Sequence, residues 1–274
     1  TGADSGDFAQ TNNCNSSLAA GAQCTINVTF RPAATGTRTG TLTVTDNASG
    51  SPQTASLTGT GVAPAATLSP TSLTFASQDV GATSAPQAVT LSNPGSGPLS
   101  ISSIAITGAN SGDFAQTNNC GSSVAAGAKC TINVTFRPTA TGTRTGTLTV
   151  TDNASGSPQT VSLTGIGVRP AASVSPTSLL FLPQLIGTTS APQRVTLSNT
   201  GSGPLLINSI ATSGGNSGDF AQTNNCGSSL AAGASCTINV TFSPTGLLLR
   251  SSTLAITDNA SGSPQTVSLT GTGL

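Results

Sequence analysis

One block of sequence occurs three times along this chain at a constant interval. The segment SGDFAQTNNC begins at Ser5, Ser111 and Ser217, so successive copies start 106 residues apart. A second segment, DNASGSPQT, recurs with the same interval from Asp46 onward. A fixed long period indicates a repeat architecture in which each copy folds as one unit. The question of fold therefore reduces to the fold of one repeat.

Two proline-containing segments, Gly61–Ala66 and Gly167–Ala172, occupy equivalent positions and predict short linkers. Proline fixes one backbone angle and removes a hydrogen-bond donor, which suits a connection between units. These linkers divide the chain into a partial repeat over residues 1–61, a complete repeat over 66–167 and another complete repeat over 172–273.

The first repeat is predicted to be incomplete. Its residues correspond to Thr107 through Gly167, so the strands equivalent to Leu68 through Ile106 have no counterpart in it. Half of a sandwich exposes its core and is not expected to be stable alone. We expect a longer native chain to supply the missing strands, and a strand-bearing piece of another molecule is the alternative.

Short stretches of strict alternation predict β-strands within each repeat. In Cys130–Phe136, apolar residues alternate with Thr131, Asn133 and Thr135, which is the period of a half-buried strand. A change of phase at Ser102-Ser103 predicts a β-bulge. Further alternating stretches surround the following residues: Leu73, Val89, Leu99, Ile104, Leu148 and Val161.

The spacing of these stretches predicts an all-β fold made of tandem immunoglobulin-like sandwiches. About seven short strands in about 100 residues, separated by turns rich in glycine, proline, asparagine and aspartate, are typical of such a domain. A solenoid is the alternative, but a period of 106 residues is far too long for one solenoid turn.

The residue inventory argues against an enzyme. The chain has no His, Tyr, Trp or Met, contains no glutamate, and has Lys129 as its one lysine. General acid–base and nucleophilic catalysis usually recruit His, Glu, Lys, Tyr or Cys. We therefore expect no catalytic residues, no cofactor and no metal.

The charge distribution excludes further classes of function. Eight basic and eight acidic residues give a net charge of zero, so no basic patch for nucleic acid is available. No apolar run is long enough to predict a membrane span. The polar positions are mainly Thr, Ser, Asn and Gly, which suits a protein exposed outside the cell.

The six cysteines form three identically spaced pairs. They predict the disulfides Cys14–Cys24, Cys120–Cys130 and Cys226–Cys236. Metal binding is the rival interpretation, but Cys-x9-Cys without histidine is poor zinc spacing. Each bridge is expected to pin an irregular segment to the start of a central strand. Disulfides require an oxidising compartment, which predicts an extracellular or cell-surface location.

Two acidic segments admit a calcium-binding interpretation. Asp152–Gly156 offers clustered oxygens, as does the stretch around Asp113. One carboxylate in each is too few for a good site, so a hairpin turn with a side-chain hydrogen bond is the favoured interpretation of the first. Asp113 is likewise expected to be a turn residue.

The last repeat differs from the others by its leucines. Thr74, Ala76 and Asp79 are replaced by Leu180, Leu182 and Leu185. Likewise, Leu247, Leu248 and Leu249 replace a Thr-Gly-Thr segment that begins at Thr141. An exposed apolar cluster often marks an interface, and these six leucines are the candidate interface. Local repacking of a terminal repeat is the alternative.

The complete pattern resembles a known family. GANSGDF, then Cys-x9-Cys, then INVTFRPTATGTRTGTLTVTDNASGSPQTVSLTGIG is similar to the abnormal-spindle/hydin-type immunoglobulin-like domain, which in bacteria occurs in choice-of-anchor surface proteins. The resemblance implies a sandwich related to major sperm protein and PapD domains. It also implies tandem modules on secreted or surface-tethered proteins, with no catalytic residues. The eukaryotic relatives are scaffold modules of cilia and centrosomes.

These observations favour a structural role. We expect a stiff extracellular stalk or filament segment whose partner is another copy, including head-to-tail assembly through the leucines. One alternative is an adhesin that recognises a surface glycan or protein, and the other is an intracellular scaffold.

Overall fold

The computed structural model describes all 274 residues, and its regular structure consists of strands and three single 3-10 turns. This confirms the all-β fold. The three turns occupy equivalent positions in the repeats, immediately before a strand that begins with phenylalanine. They span Ser5–Asp7, Ser111–Asp113 and Ser217–Asp219.

The first repeat contains four strands in two antiparallel ribbons. Its strands are β1 (Phe8–Asn12), β2 (Ile26–Phe30), β3 (Gly36–Val44) and β4 (Gln53–Gly61). One ribbon pairs β1 with β2, and the other pairs β3 with β4.

The second repeat contains ten strands in two facing sheets. They are β5 (Thr67–Ser69), β6 (Ser72–Thr74), β7 (Gln78–Asp79), β8 (Gln87–Ser92), β9 (Leu99–Thr107), β10 (Phe114–Asn118), β11 (Ser123–Val124), β12 (Lys129–Phe136), β13 (Gly142–Asp152) and β14 (Gln159–Val168). One sheet has the order β10-β12-β8-β5. The other has the order β11-β9-β13-β14-β6, with β7 also paired to β14. The pairing of β6 with β14 is parallel.

The third repeat follows the same plan. Its strands are β15 (Ala172–Ser175), β16 (Ser178–Leu180), β17 (Gln193–Asn199), β18 (Leu205–Ser213), β19 (Phe220–Asn224), β20 (Ser229–Leu230), β21 (Ser235–Phe242), β22 (Leu248–Asp258) and β23 (Gln265–Gly273). The sheets have the orders β15-β17-β21-β19 and β16-β23-β22-β18-β20.

A separate hydrophobic core lies between the two sheets of each complete repeat. Each core contains 18 buried residues, drawn from the inward positions of the alternating strands. In the second repeat, the Phe114 and Phe136 rings lie 5.0 Å apart, and Phe75 packs 5.7 Å from Phe136. A Cβ on Gly165 would lie 2.5 Å from the Phe136 ring, so this ring is seated directly on a glycine backbone.

The bulge expected at Ser102-Ser103 is present. Thr151 pairs with Ser103 and Asp152 pairs with Ile101, so Ser102 is the extra residue on β9. The third repeat has the same irregularity between Ile207 and Ser209. One extra residue reverses the side-chain alternation along the strand, as the sequence indicated.

The first repeat has no closed core. Its β2 pairs with β1 alone, whereas the equivalent β12 lies between β10 and β8. Phe30 on β2 is 37% exposed, while the equivalent Phe136 is completely buried. The apolar faces of both ribbons therefore border an open groove lined by Phe8, Val28, Leu42 and Leu57 among others.

Candidate functional site at the repeat junctions

The linker that leaves the first repeat is hydrogen-bonded to a turn of the second. The backbone N–H groups of Ser96 and Gly97 donate to the carbonyl oxygen of Ala63 at 2.9 and 3.0 Å. The N–H of Ala63 donates in return to Oγ of Ser96 at 3.2 Å. Three hydrogen bonds thus fix one linker residue against the loop between β8 and β9.

The second linker is held in the same way. The N–H groups of Ser202 and Gly203 donate to the carbonyl of Arg169 at 2.9 and 3.1 Å. The N–H of Arg169 donates to Oγ of Ser202 at 3.0 Å. The two junctions, which lie 106 residues apart, therefore have the same geometry, as the sandwiches do.

A buried asparagine organises each of these turns. Nδ2 of Asn93 donates to the carbonyls of Gly97 and Val124 at 2.8 and 3.0 Å. Its Oδ1 accepts from the N–H of Ala65 at 3.2 Å and from that of Gly95 at 3.0 Å. A buried amide that satisfies four hydrogen bonds strongly favours one conformation of its surroundings. Asn199 makes the equivalent contacts in the third repeat.

Close backbone contact at each turn requires glycine. A Cβ on Gly201 would lie 2.4 Å from the backbone nitrogen of Ala171 and 2.4 Å from the carbonyl oxygen of Arg169. Gly95 faces the first linker with comparable clearance. Any side chain at these positions would push the linker away from the turn.

The junction also contacts the preceding repeat directly. A Cβ on Gly203 would lie 3.0 Å from Cγ2 of Val168, at the end of β14, and 3.2 Å from Oδ1 of Asp79, on β7 of the second repeat. Val168 is the last residue of β14, and Arg169 is already bound to the third repeat. The chain therefore passes between these two repeats without an unbonded residue.

An ion pair inside each repeat secures the 3-10 turn. Asp113 is buried and pairs with Nε of Arg144, which lies on β13. Thr139 donates to Oδ1 of Asp113 through its hydroxyl at 2.7 Å and through its N–H at 3.1 Å. Burial favours a raised pKa for Asp113, but the bonds from Arg144 and Thr139 outweigh it and hold the pKa below its ordinary value.

The other two repeats contain the same pair. Arg250 lies 2.5 Å from Asp219, and Arg38 lies 2.5 Å from Asp7. The interpretation of Asp113 as a turn residue was therefore incomplete, because its carboxylate ties the turn to a strand 31 residues away.

The three disulfides have the predicted pairing. Cys120 follows β10 and Cys130 lies on the neighbouring strand β12, with their Cα atoms 4.9 Å apart. Each bridge therefore pins the segment after one strand to the strand beside it, as expected. The other bridges are Cys14–Cys24 and Cys226–Cys236.

The segment Asp152–Gly156 forms the turn between β13 and β14. Oδ1 of Asp152 accepts the N–H of Ala154 at 2.8 Å, which is the side-chain hydrogen bond expected of such a turn. The chain contains no group of three or more His, Cys, Asp or Glu side chains that could hold a metal ion together. None of its helical segments is long and apolar enough to cross a membrane.

The six leucines of the candidate interface all lie at one end of the third repeat. Leu180 belongs to β16 and Leu248 and Leu249 begin β22, on opposite sides of the last part of β23. Two further residues, Ile186 and Leu274, join them there through a backbone hydrogen bond of 3.1 Å. All eight side chains are 46–79% exposed, and we call this set the leucine end: Leu180, Leu182, Leu185, Ile186, Leu247, Leu248, Leu249 and Leu274.

Family comparisons match both complete repeats. Residues 63–160 match the model described as abnormal spindle-like microcephaly-associated, ASPM-SPD-2-Hydin. Residues 185–272 match the HYDIN/CFA65/VesB-like, Ig-like domain. No curated protein matches the chain significantly.

Solved structures resemble the chain more distantly. A Porphyromonas gingivalis protein of unknown function is 14% identical, and the alignment covers 76% of this chain and 99% of that protein with a TM-score of 0.33. The PapD-like domain 7 of human CEP192 is 17% identical over 38% of this chain and 84% of that domain, with a TM-score of 0.29. The secreted serine protease VesC of Vibrio cholerae is 13% identical over 75% of this chain and 48% of the protease, with a TM-score of 0.30.

The family matches agree with the sandwich architecture and with the motifs that the repeats share. They cover most of each complete repeat, including the disulfide loops and most of the hydrophobic cores. The chain therefore belongs to the immunoglobulin-like repeat proteins of the ASPM-SPD-2-Hydin type.

Proposed function

We propose that this protein is a structural element outside the cell, a stiff segment of a stalk or filament built from tandem sandwiches. The family and the fold indicate a binding or structural module, and the junctions favour the structural role. The observation that carries the proposal is the linker geometry. Ala63 and Arg169 make the same three hydrogen bonds, so each repeat is fixed to the next in the same way.

The short length of the free linker supports stiffness. One residue, Val62, separates the end of β4 from the first hydrogen-bonded linker residue at the first junction. At the second junction, β14 ends at Val168 and the next residue is already bonded. Relative motion of domains is the default where a linker is long and its interface small. Here the linker offers almost no rotatable backbone that is not held by the following repeat.

The disulfides and ion pairs within each repeat suit a protein that stays folded outside the cell. Each repeat has one disulfide and the equivalent Asp–Arg pair, which hold loop segments to strands, and in the first repeat Arg38 also pairs with Asp4 at 2.7 Å. The disulfides fit an oxidising compartment, which supports an extracellular or cell-surface location. A sparsely charged, hydroxyl-rich surface remains hydrated and offers few lysine or arginine sites to proteases.

Small-angle X-ray scattering of the unreduced full chain, at a concentration where it is monomeric, tests the stiffness. The control variant carries a flexible Gly-Ser insertion between Val168 and Arg169, which frees the second junction. We expect the natural chain to scatter as one rigid conformation and the control to scatter as a broad ensemble. Scattering profiles that agree for both proteins would contradict the proposal, because the natural junction would then already be flexible.

A further inference from the structure

The leucine end extends beyond the surface that a neighbouring repeat covers. The third repeat docks on the corresponding end of the second, near Asp79 and Val168. The positions equivalent to five of the leucines stay exposed there, although a repeat is docked beside them; these positions are Thr74, Ala76, Thr141, Gly142 and Thr143. A repeat docked in the same way would therefore leave Leu180, Leu182 and Leu247–Leu249 exposed to water.

The backbone at Leu248 gives independent support for a role outside the fold. Leu248 has a φ of 70° and is the one non-glycine residue with a positive φ. Its counterparts Gly142 and Gly36 have φ of 91° and 95°. A branched side chain is strained in this region, and such strain is typical of functional positions. The Leu248 side chain is 76% exposed, so packing within the chain does not account for it.

The chemistry of the leucine end favours another protein surface over a lipid surface. The segments that carry it, 178–186, 246–251 and 268–274, contain one charged side chain, Arg250, which is paired with Asp219. Surfaces that bind membranes combine apolar residues with several lysines, arginines or aromatic residues. The leucine end is aliphatic and electrically neutral, so two copies of it would not repel each other.

The apolar area that stays exposed beside a docked repeat suits a small homodimer contact. The five leucines that such a repeat would leave exposed present an apolar surface on the order of 400 Å², taking about 30 Å² per methylene group. Two copies would together bury about 800 Å² of it, which is at the small end of specific interfaces. An apolar patch of this size on an otherwise polar surface marks an interaction site.

The surface that this chain presents to a preceding repeat does not match the leucine end. At the second junction it includes Gly203, Asn259 and Ser261, which are small or polar. The best complement to an aliphatic sheet end is therefore the same end of another copy, in an isologous contact.

We propose that two copies of this protein pair through their leucine ends in a closed twofold dimer. The contact uses the same face of both copies, so it closes at two copies and does not add copies head to tail. The inference goes beyond the proposed function, because the stiffness of the junctions does not depend on it.

Sedimentation of the unreduced full chain over a wide concentration range tests the pairing. The double variant L248G/L249T and its control L206S each restore residues that the second repeat has at the same positions. Leu206 is also exposed but lies outside the leucine end. We expect a reversible monomer–dimer equilibrium that the double variant weakens at least about a hundredfold and that L206S leaves unchanged.

A thermal melt of the same variants separates pairing from folding. Replacing Leu248 by glycine relieves the backbone strain, so L248G alone is expected to melt no lower than the natural chain under conditions where both are monomeric. A monomer at every concentration would overturn the proposal. Dimers that persist in the double variant, oligomers that keep growing with concentration, or binding of the leucine end to phosphatidylcholine vesicles without dimers would also overturn it.

Discussion

The first repeat and the second half of the second repeat are nearly the same sequence in two different environments. Phe8 pairs with Phe30 as Phe114 pairs with Phe136, and both regions have the disulfide and the Asp–Arg pair. They differ in burial, because Phe30 is 37% exposed and Phe136 is not exposed at all. Strand pairing and register are therefore local properties of this sequence, whereas the core depends on strands from the other half of a repeat.

The largest expected effect comes from removing the same ring in both environments. Phe136→Ala is expected to lower the free energy of unfolding of the second repeat by about 3–5 kcal/mol, because it leaves a cavity in a closed core. Phe30→Ala is expected to cost roughly 1–2 kcal/mol, since much of that ring already faces water. Hydrogen–deuterium exchange of β2 and β12, resolved by peptide, measures each repeat separately. Equal losses at the two sites would show that the first repeat has a closed core.

Removing the disulfides tests the local part of the comparison. Replacing Cys120 and Cys130 together by serine is expected to cost the second repeat about 2–3 kcal/mol, because the bridge closes a short loop in the unfolded chain. The same change at Cys14 and Cys24 is expected to abolish exchange protection of β1 and β2, since a two-stranded ribbon is marginal without support. If this ribbon stayed protected, its pairing would have to be held by contacts other than the bridge.

Gly201→Ala tests whether the junction turn belongs to the following repeat. The new Cβ would meet the linker backbone, so we expect a loss of about 1–3 kcal/mol and greater flexibility at the second junction. Gly95→Ala is expected to lower the stability of the second repeat by the same amount, although the repeat before it is incomplete and the repeat before Gly201 is complete. Gly218→Ala, where a Cβ has nothing within 4 Å, is the matched control. Calorimetric melts of the three variants measure these losses of stability. A loss in Gly201→Ala without one in Gly95→Ala would contradict the expectation that each turn belongs to the repeat that follows its linker.

The smallest expected effect is an acid sensitivity shared by both regions. The bond from Arg38 lowers the pKa of Asp7, and the bonds from Arg144 and Thr139 lower that of Asp113 despite its burial. The folded pKa lies below the unfolded one, so this stability is complete at neutral pH. It is lost as the pH falls below about 4 and through the folded pKa. Melting temperatures measured between neutral pH and about pH 2 should decline less steeply in Asp113→Asn than in the natural chain. An unchanged slope would show that the pair does not contribute.

The sequence predicted the features that a short stretch can encode. The alternation in Cys130–Phe136, the bulge near Ser102, the disulfide spacing and the hairpin turn at Asp152 all concern neighbouring residues, and the structure has each of them. The repeat period then extends each of these features to the other copies.

The sequence did not predict features that depend on distant residues. Asp113 meets Arg144 across 31 positions, and β6 runs parallel to β14 although nearly a whole repeat separates them. Asn93 looks like an ordinary turn residue until its contact with Val124, 31 positions away, shows it to be the centre of a junction. One signal was available: Asn-x-Gly-Ser-Gly recurs at Asn93 and Asn199 with the full repeat period.

The most direct test of the central claim is a distance distribution across the second junction. Spin labels at Thr160 and Thr266, which are exposed and equivalent in the second and third repeats, can be attached through non-cysteine chemistry because every cysteine is in a disulfide. Pulsed electron paramagnetic resonance then measures their separation in the unreduced chain. The rigid junction predicts one narrow distance peak that broadens when the Gly-Ser insertion follows Val168. A natural chain with a distribution as broad as that of the insertion variant would contradict the account.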